Sequence, residues 1–335
     1  MSDGIVFTHL ARLTDATGLF EHAEGTEPRI EHGYCVDDVA RALVVTARQP
    51  EPGPQVEALT RTYLTFLVAA QHSSGRFHNR RTAAGVWADQ PALGDWWGRA
   101  LWGLGTAAAR LPAHADEALG RFAAGADHRA PWSRAMCFAA LGAAEVLSVD
   151  PRQPSARALL RDAARFVEPT QPDGPWPWPE PRLRYANAVL PEVLLAAGTL
   201  LDVPRWTEQG LRLLGWLLDT ETGEGHLSVV PVGGWAPGEA RPGFDQQPIE
   251  VAALADACAR ACDVTGDRVW SDAVVRCAAW FDGENDAQTP MSDPKTGGGF
   301  DGLEPFGRNE NQGAESTLAL LSTRQQSQKL LVTTR

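Results

Sequence analysis

Six stretches of this chain begin on polar or aromatic residues and run straight into Ala-, Leu- and Val-rich sequence that is apolar nearly all round. They are GYCVDDVARALVV, GDWWGRALWGLG, SRAMCFAALGAAEVL, RYANAVLPEVLLAAG, QQPIEVAALADACARA and NQGAESTLALLS. Recurrence of one supersecondary unit marks a repeat architecture. Here the period is loose but sustained, with starts at Asp37, Asp95, Ser133, Tyr185, Gln247 and Gln312. Between them lie QVEALTRTYLTFLVAA, ADEALGRFAAGA, ARALLRDAARFV, RWTEQGLRLLGWLLD and DRVWSDAVVRCAAWF, with a shorter segment at FTHLARLTD. In these the apolar residues recur at i, i+3 and i+4 and the other face is charged, the pattern of a helix with one side in water.

Alternation of fully apolar and amphipathic helices is what two concentric rings require. The expected fold is therefore all-α, an (α/α)6 toroid of six inner and six outer helices. Two separate helical domains would need a linker, and the Pro-rich stretch at 171–183 carries two tryptophans that a spacer does not need. We expect one domain over residues 1–323 and a C-terminal tail at 324–335. The outer-to-inner connections are the long ones, rich in Gly, Pro and aromatics, and long ordered loops gathered at one end of a scaffold usually carry function. That places the polar starts of all six inner helices around one mouth, with short β-hairpins from FHNRR and GHLSVVPVGGW beside it, and implies a single cleft.

Composition narrows the partners. Hydrophobic residues at 44% and charged residues at 21% of 335 exclude a disordered chain. With 30 basic against 42 acidic residues the net charge is −12, and Lys and Arg form no cluster, so nucleic acid and anionic membrane are poor partners. No stretch approaches a spanning helix, and MSDGIVFTHLARLTD has neither a basic start nor an apolar signal core, which suggests a cytoplasmic location. The five cysteines lack any CxxC pair and sit mostly in apolar helical stretches, as packed thiols do. Histidines in HxH or HExxH, calcium-loop spacing, a nucleotide-binding glycine pattern and GxSxG are all missing from the sequence, so no metal or cofactor is expected.

Asp37 and Asp38 enter a helix that should be buried. One carboxylate caps a helix; a second is costly to bury without a partner, and two together raise each other's pKa, which favours a shared proton. Asp95 opens the next inner helix, Glu250 lies three residues after Gln247, and Glu315 lies four after Asn311. Residues at those spacings share a helix face, so amide and carboxylate are presented together, a combination suited to polyhydroxylated ligands. The candidate catalytic residues are Asp37, Asp38, Asp95, Glu250 and Glu315. Tryptophan counts 12 against 3 tyrosines. Trp102, Trp206, Trp216, Trp270 and Trp280 fall within helices and read as core, whereas Trp87, Trp96, Trp97, Trp176, Trp178 and Trp235 fall in the mouth loops or at a helix start, where flat faces suit sugar rings. Further candidate substrate contacts are His32, Tyr34, His78, Arg80, Arg134, Tyr185, Asn187, Asp245, Gln246, Gln247, Asn311 and Gln312.

The six buried helix starts, the acidic residues in VDDVARA and NQGAES and the Trp-rich loops resemble the (α/α)6-toroid glycosidase superfamily, whose members place carboxylates and aromatics at one mouth. LTDATGLFEHA, GYCVDDVARAL and GFDGLEPFGRNENQGAES are similar to bacterial helical domains often found with glycosyltransferases and sometimes described as such. The resemblance covers residues 8 to 322. The alternating strands and helices of a nucleotide-sugar transferase are absent from the pattern.

The reading that follows is a glycoside hydrolase, or a related phosphorylase, acting on a short oligosaccharide. Asp38 or Asp95 protonates the leaving oxygen, and Glu250, Glu315 or Asp37 activates water. A sugar isomerase or epimerase on the same fold would need histidines at the mouth, for which His32, His78 and His226 are available. A non-catalytic carbohydrate-binding module is the third reading. A terpene-type cyclase would need a further carboxylate after Asp37 and Asp38, where Val39, Ala40 and Arg41 stand.

Overall fold

The computed structural model describes residues 4–169 and 174–333, with side chains as far as residue 330; residues 171–173 of the Pro-rich stretch and the last two of the expected tail lie outside the described part. Two compact units are formed: one comprises Leu10–Phe166 with Leu200–Asp202, the other the residues up to His9, Val167–Thr199 and the chain from Val203 onward. We call them the N-terminal and C-terminal units.

Helix α1 (Thr8–Arg12) is the short first element. In the N-terminal unit α2 (Val36–Arg48), α4 (Asp95–Arg110) and α6 (Ser133–Val149) are the apolar helices, and most of their residues are buried. They alternate with α3 (Pro54–Ala70), α5 (Ala115–Ala126) and α7 (Pro154–Val167), which keep a charged exposed face. Packing of α4 against α6 is close enough to need glycine. A Cβ on Gly105 would stand 2.2 Å from the Gly142 carbonyl oxygen, and one on Gly142 would stand 2.2 Å from that of Leu101. At the far ends of these helices Glu145 of α6 is buried between Arg48 of α2 and Arg110 of α4, each 3.2 Å away.

In the C-terminal unit the apolar helices are α8 (Val189–Leu200), α10 (Pro248–Thr265) and α12 (Ala314–Thr333). The amphipathic ones are α9 (Pro204–Thr220) and α11 (Arg268–Phe281). Their boundaries follow local chemistry. Pro204 and Pro248 sit at the first turn, where a missing N–H costs nothing, and Asp267 caps α11 by accepting from Val269 N at 3.1 Å. Gly266 ends α10 in the left-handed conformation, φ 69°. Buried acids tie these helices too: Glu192 of α8 to Arg260 of α10 at 3.0 Å, and Asp256 of α10 to Ser322 and Gln326 of α12 at 3.3 and 2.5 Å. Helix α12 runs through the expected boundary at residue 323, so the residues described beyond it are helix rather than a separate tail.

All strands are short and antiparallel. They are β1 (Ala23–Glu24) with β2 (Glu27–Pro28), β3 (Tyr34–Cys35) with β4 (Arg80–Arg81), β5 (Thr222–Gly223) with β6 (His226–Leu227), β7 (Ser292–Asp293) with β8 (Gly298–Gly299), and β9 (Gly302–Glu304) with β10 (Gly307–Asn309). Each lies in a connection that precedes an apolar helix, as expected. FHNRR does not close on itself, however; its Arg80 and Arg81 pair with Cys35 and Tyr34. Among the described residues no helix is long and apolar enough to cross a membrane.

Candidate active site

Three carboxylates and three guanidinium groups gather at the starts of α2, α4 and α6 in the N-terminal unit. Asp38, buried in the first turn of α2, pairs with Arg41 one turn on. Asp37 turns to α4, its Oδ1 2.9 Å from Nη1 of Arg99. Each carboxylate thus faces its own cation rather than the other carboxylate. Arg99 is buried and its guanidinium lies 4.2 Å from the centroid of the Phe138 ring. Asp95 opens α4 half-buried. Burial raises its carboxyl above the ordinary range; Arg99 opposes this, Asp37 adds to it, and Arg134 and Arg41 oppose it. Arg134, buried in the first turn of α6, also donates to Ser133 Oγ at 3.2 Å.

A wall of loops flanks this cluster within the unit. The Asp89 carboxylate accepts from the backbone of Asn79 and Arg80 at 2.7 and 3.0 Å, fixing the strand. His78 is stacked on Trp87, with centroids 5.0 Å apart, and bonds the Asp89 carbonyl. Arg80 pairs with Glu21. His32 is exposed and meets His22, ring nitrogen to ring nitrogen, at 2.9 Å. Trp96 is half-buried and donates to Phe77 O. Two expected contacts are core instead. Trp97 is fully buried with its N–H on Gly125 O, and Tyr34 is stacked on Phe20 with its hydroxyl on Asp15. Glu21, Cys35 and Asp38 bring ligand atoms within 4.8 Å of one another. Arg80 and Arg41 already neutralise the two acids, and burial, with Asp37 and Asp38, pushes the Cys35 thiol well up, which disfavours a metal-binding thiolate.

In the C-terminal unit Glu250, in the first turn of α10, does not join Gln247 as its spacing suggests. Its buried carboxylate accepts from Ala186 N, from Asn187 N at 3.2 Å and from Asn187 Nδ2 at 3.0 Å. Both oxygens are engaged, so Glu250 holds a turn rather than offering itself as an open acid. Tyr185, half-buried, sits in that turn. Trp176, Trp178, Trp216 and Trp235 form one aromatic cluster. Trp178 is buried there, and Trp176 and Trp235 give their N–H groups to Glu180 O and Glu239 O, so loop anchoring describes them better than open platforms. Gln246 is buried between Asp286 and the Trp280 N–H, and Gln312 is buried with its carbonyl bonded to His9. Asp245 is exposed, and Gln247, Asn311 and Glu315 are half-buried at the starts of α10 and α12.

A groove of about 740 Å³ in the same unit lies between residues 223–226 and 283–288. Asp286 on its wall accepts from Ser228 Oγ and bonds His226 Nε2, both at 2.6 Å. Burial works against its charge, but the bonds from Ser228, His226 and Gln246 outweigh it and hold the carboxyl below its ordinary value. Because the carboxylate stands between the other two, the serine is not activated by the histidine.

Several of these groups escaped the sequence reading. Arg41 and Arg99 were legible as partners three residues after Asp38 and four after Asp95. Asp89 and Asp286 carry no such signal, since their partners lie nine or more residues away in sequence. Trp132, 63% exposed as the N-cap of α6, and the exposed Phe306 are aromatics of the kind sought in the loops.

No family model and no curated protein matches the sequence. Solved structures do match in fold. A sugar epimerase from a ruminal bacterium is 11% identical with a TM-score of 0.75, covering 98% of this chain and 96% of its own. Cellobiose 2-epimerase from Spirochaeta thermophila is 12% identical with a TM-score of 0.70, covering 97% and 94%. The cellulase Cel9M of C. cellulolyticum is 10% identical with a TM-score of 0.60, covering 94% and 88%. The fold is the (α/α)6 toroid. In toroid terms α2, α4, α6, α8, α10 and α12 are the inner helices, and the three carboxylates of the N-terminal unit stand in the first turns of two of them.

Proposed function

We propose that this toroid is a carbohydrate-active enzyme that hydrolyses a glycosidic bond in a short oligosaccharide, with Asp95 as general acid and Asp37 as general base. One observation carries the reading: two neighbouring carboxyls stand in different environments, Asp95 pushed up by burial and Asp37 ion-paired with Arg99. Carboxyl pairs whose surroundings separate their roles are how one site runs acid and base chemistry together. Asp95 gives its proton to the glycosidic oxygen as the bond to the anomeric carbon breaks, and Asp37 takes a proton from the water that attacks that carbon. Arg134, Arg80, His78 and Trp96, in the same unit, are the groups we assign to holding hydroxyls. The matched structures named as epimerases and a cellulase support a sugar substrate.

A second reading, sugar epimerase or isomerase, is favoured by the fuller coverage of the two epimerases than of the cellulase. It would use His78 and His32, which stand in the loops beside the N-terminal cluster; the first turns of the inner helices carry no histidine, and His226 is bonded to Asp286. Incubating the wild-type chain with α- and β-linked oligosaccharides, with and without phosphate, separates the readings. Shorter sugars mean hydrolysis, sugar phosphates mean phosphorolysis, and an isomer of unchanged mass means epimerisation. Binding without any product, unaltered in kind by Asp37→Asn, would leave a carbohydrate-binding module.

A further inference from the structure

The chain on either side of the β1–β2 hairpin is drawn together at a neck. Phe20 bridges to Tyr34, Glu21 N donates to Gly33 O at 3.3 Å, and Arg29 N donates to His22 O at 2.8 Å. Gly33 leaves the short 3-10 turn Ile30–His32 at φ 69°, and a Cβ on it would stand 2.3 Å from Arg81 O, so the neck is pressed against β4. His22 precedes β1 and His32 ends the turn. Backbone pairing therefore sets the two exposed imidazoles nitrogen to nitrogen, their Nδ1 atoms 2.9 Å apart and their rings crossed at 85°. No HxH motif marks the pair, because strand pairing rather than sequence spacing brings it together.

We propose that His22 and His32 form a binding site for one divalent transition-metal ion of the nitrogen-preferring kind, Ni2+, Cu2+ or Zn2+, which closes the neck of the hairpin with water completing its coordination. Such ions sit about 2.0–2.1 Å from an imidazole nitrogen. Two nitrogens 2.9 Å apart then subtend roughly 90° at the ion, the cis angle of square-planar or octahedral Ni2+ and Cu2+. Tetrahedral Zn2+ needs about 3.3 Å between them, an opening that two exposed rings can supply. Without an ion the contact is an N–H···N bond, in which one ring carries its proton on Nδ1. Binding needs both Nδ1 lone pairs, so that proton moves to Nε2. On His32 this nitrogen faces Glu31 Oε1 at 3.9 Å, a carboxylate beyond the ligand that favours a proton there. Glu21 Oε2 lies 3.7 Å from His22 Nδ1 and adds negative charge near the ion. Arg80 pairs with that same carboxylate, which leaves the two imidazoles as the protein's ligands. The site does not rest on the hydrolytic reading.

The test is calorimetric titration of the full chain with Ni2+ and, separately, with Zn2+. Each should bind at one ion per chain, and the Tm should climb with the concentration of the ion. Mg2+, which prefers oxygen ligands, should leave the Tm where it is. His22→Ala and His32→Ala each remove one of the two ligands, and since both side chains are exposed the core stays intact. Each variant should bind at least about tenfold more weakly, the loss that disturbing an outer-shell partner alone can cause. The double variant should lose both the heat of binding and the gain in Tm. His114→Ala, at the start of α5, should titrate as the wild type does. Wild-type binding no tighter than that of the double variant, or an equal loss in His114→Ala, would overturn the site and leave His22 and His32 as a hydrogen-bonded pair.

Discussion

Arg99 is the residue on which the N-terminal site turns. It pairs with Asp37, lies over Phe138 and moderates the raised carboxyl of Asp95. Removing one member of a buried ion pair strands the other, at a cost of about 3–5 kcal/mol. Arg99→Ala should lower stability on that scale by denaturant titration, with activity on any sugar lost; a change under ~1 kcal/mol would show that the pair is solvated in solution. Asp95 gives a second test. Its raised carboxyl contributes stability that is complete below its unfolded value near 3.8 and is lost as pH climbs. Asp95→Asn should melt above the wild type at neutral pH, with the gain shrinking as pH falls towards that value. A variant less stable at every pH would mean that the carboxylate is needed for folding.

Among the elements, α4 and α6 show what the sequence made legible and what it did not. Their apolar runs, their starts at Asp95 and Ser133 and their alternation with charged-faced helices follow from periodicity. The demand for glycine at 105 and 142 does not, because it arises from one backbone approaching another. A methyl group at either position meets a carbonyl oxygen at 2.2 Å. Gly142→Ala should destabilise by about 1–3 kcal/mol, the usual cost of overpacking, although alanine is the better helix former. An unchanged or raised Tm would show that the two helices part easily. Glu145, Glu192 and Asp256 were equally hidden: an acid inside an apolar helix is legible as polar, but its arginine or amide partner sits on another helix. The same limit explains Trp97 and Tyr34, whose aromatic character suits a platform or a core alike until burial decides.

On the scale of the whole molecule, the alternation of buried and amphipathic helices was enough to name the toroid. Residues 324–330 continue α12, where Gln326 reaches Asp256, and Arg324 and Lys329 pair with Asp282 and Asp263. RQQSQK is polar and reads as solvent-facing, so nothing in it marks this continuation. Truncation after Thr323 should cost on the order of 1–3 kcal/mol through the Asp256 carboxylate alone, read as a lower denaturant midpoint. An unchanged midpoint would make the last turns dispensable. The candidate site was legible as a set of residue types at helix starts, and less so as a set of partners, since Asp37 and Glu250 turn to groups far along the chain.

If Asp95 supplies the proton to a departing sugar oxygen, the effect of Asp95→Asn must depend on the leaving group. Turnover of a natural oligosaccharide should fall by about 10²–10⁴-fold, the worth of general acid catalysis, while an aryl glycoside whose phenolate departs without a proton should lose far less. Equal losses on both substrates would contradict the assignment of Asp95 as the acid.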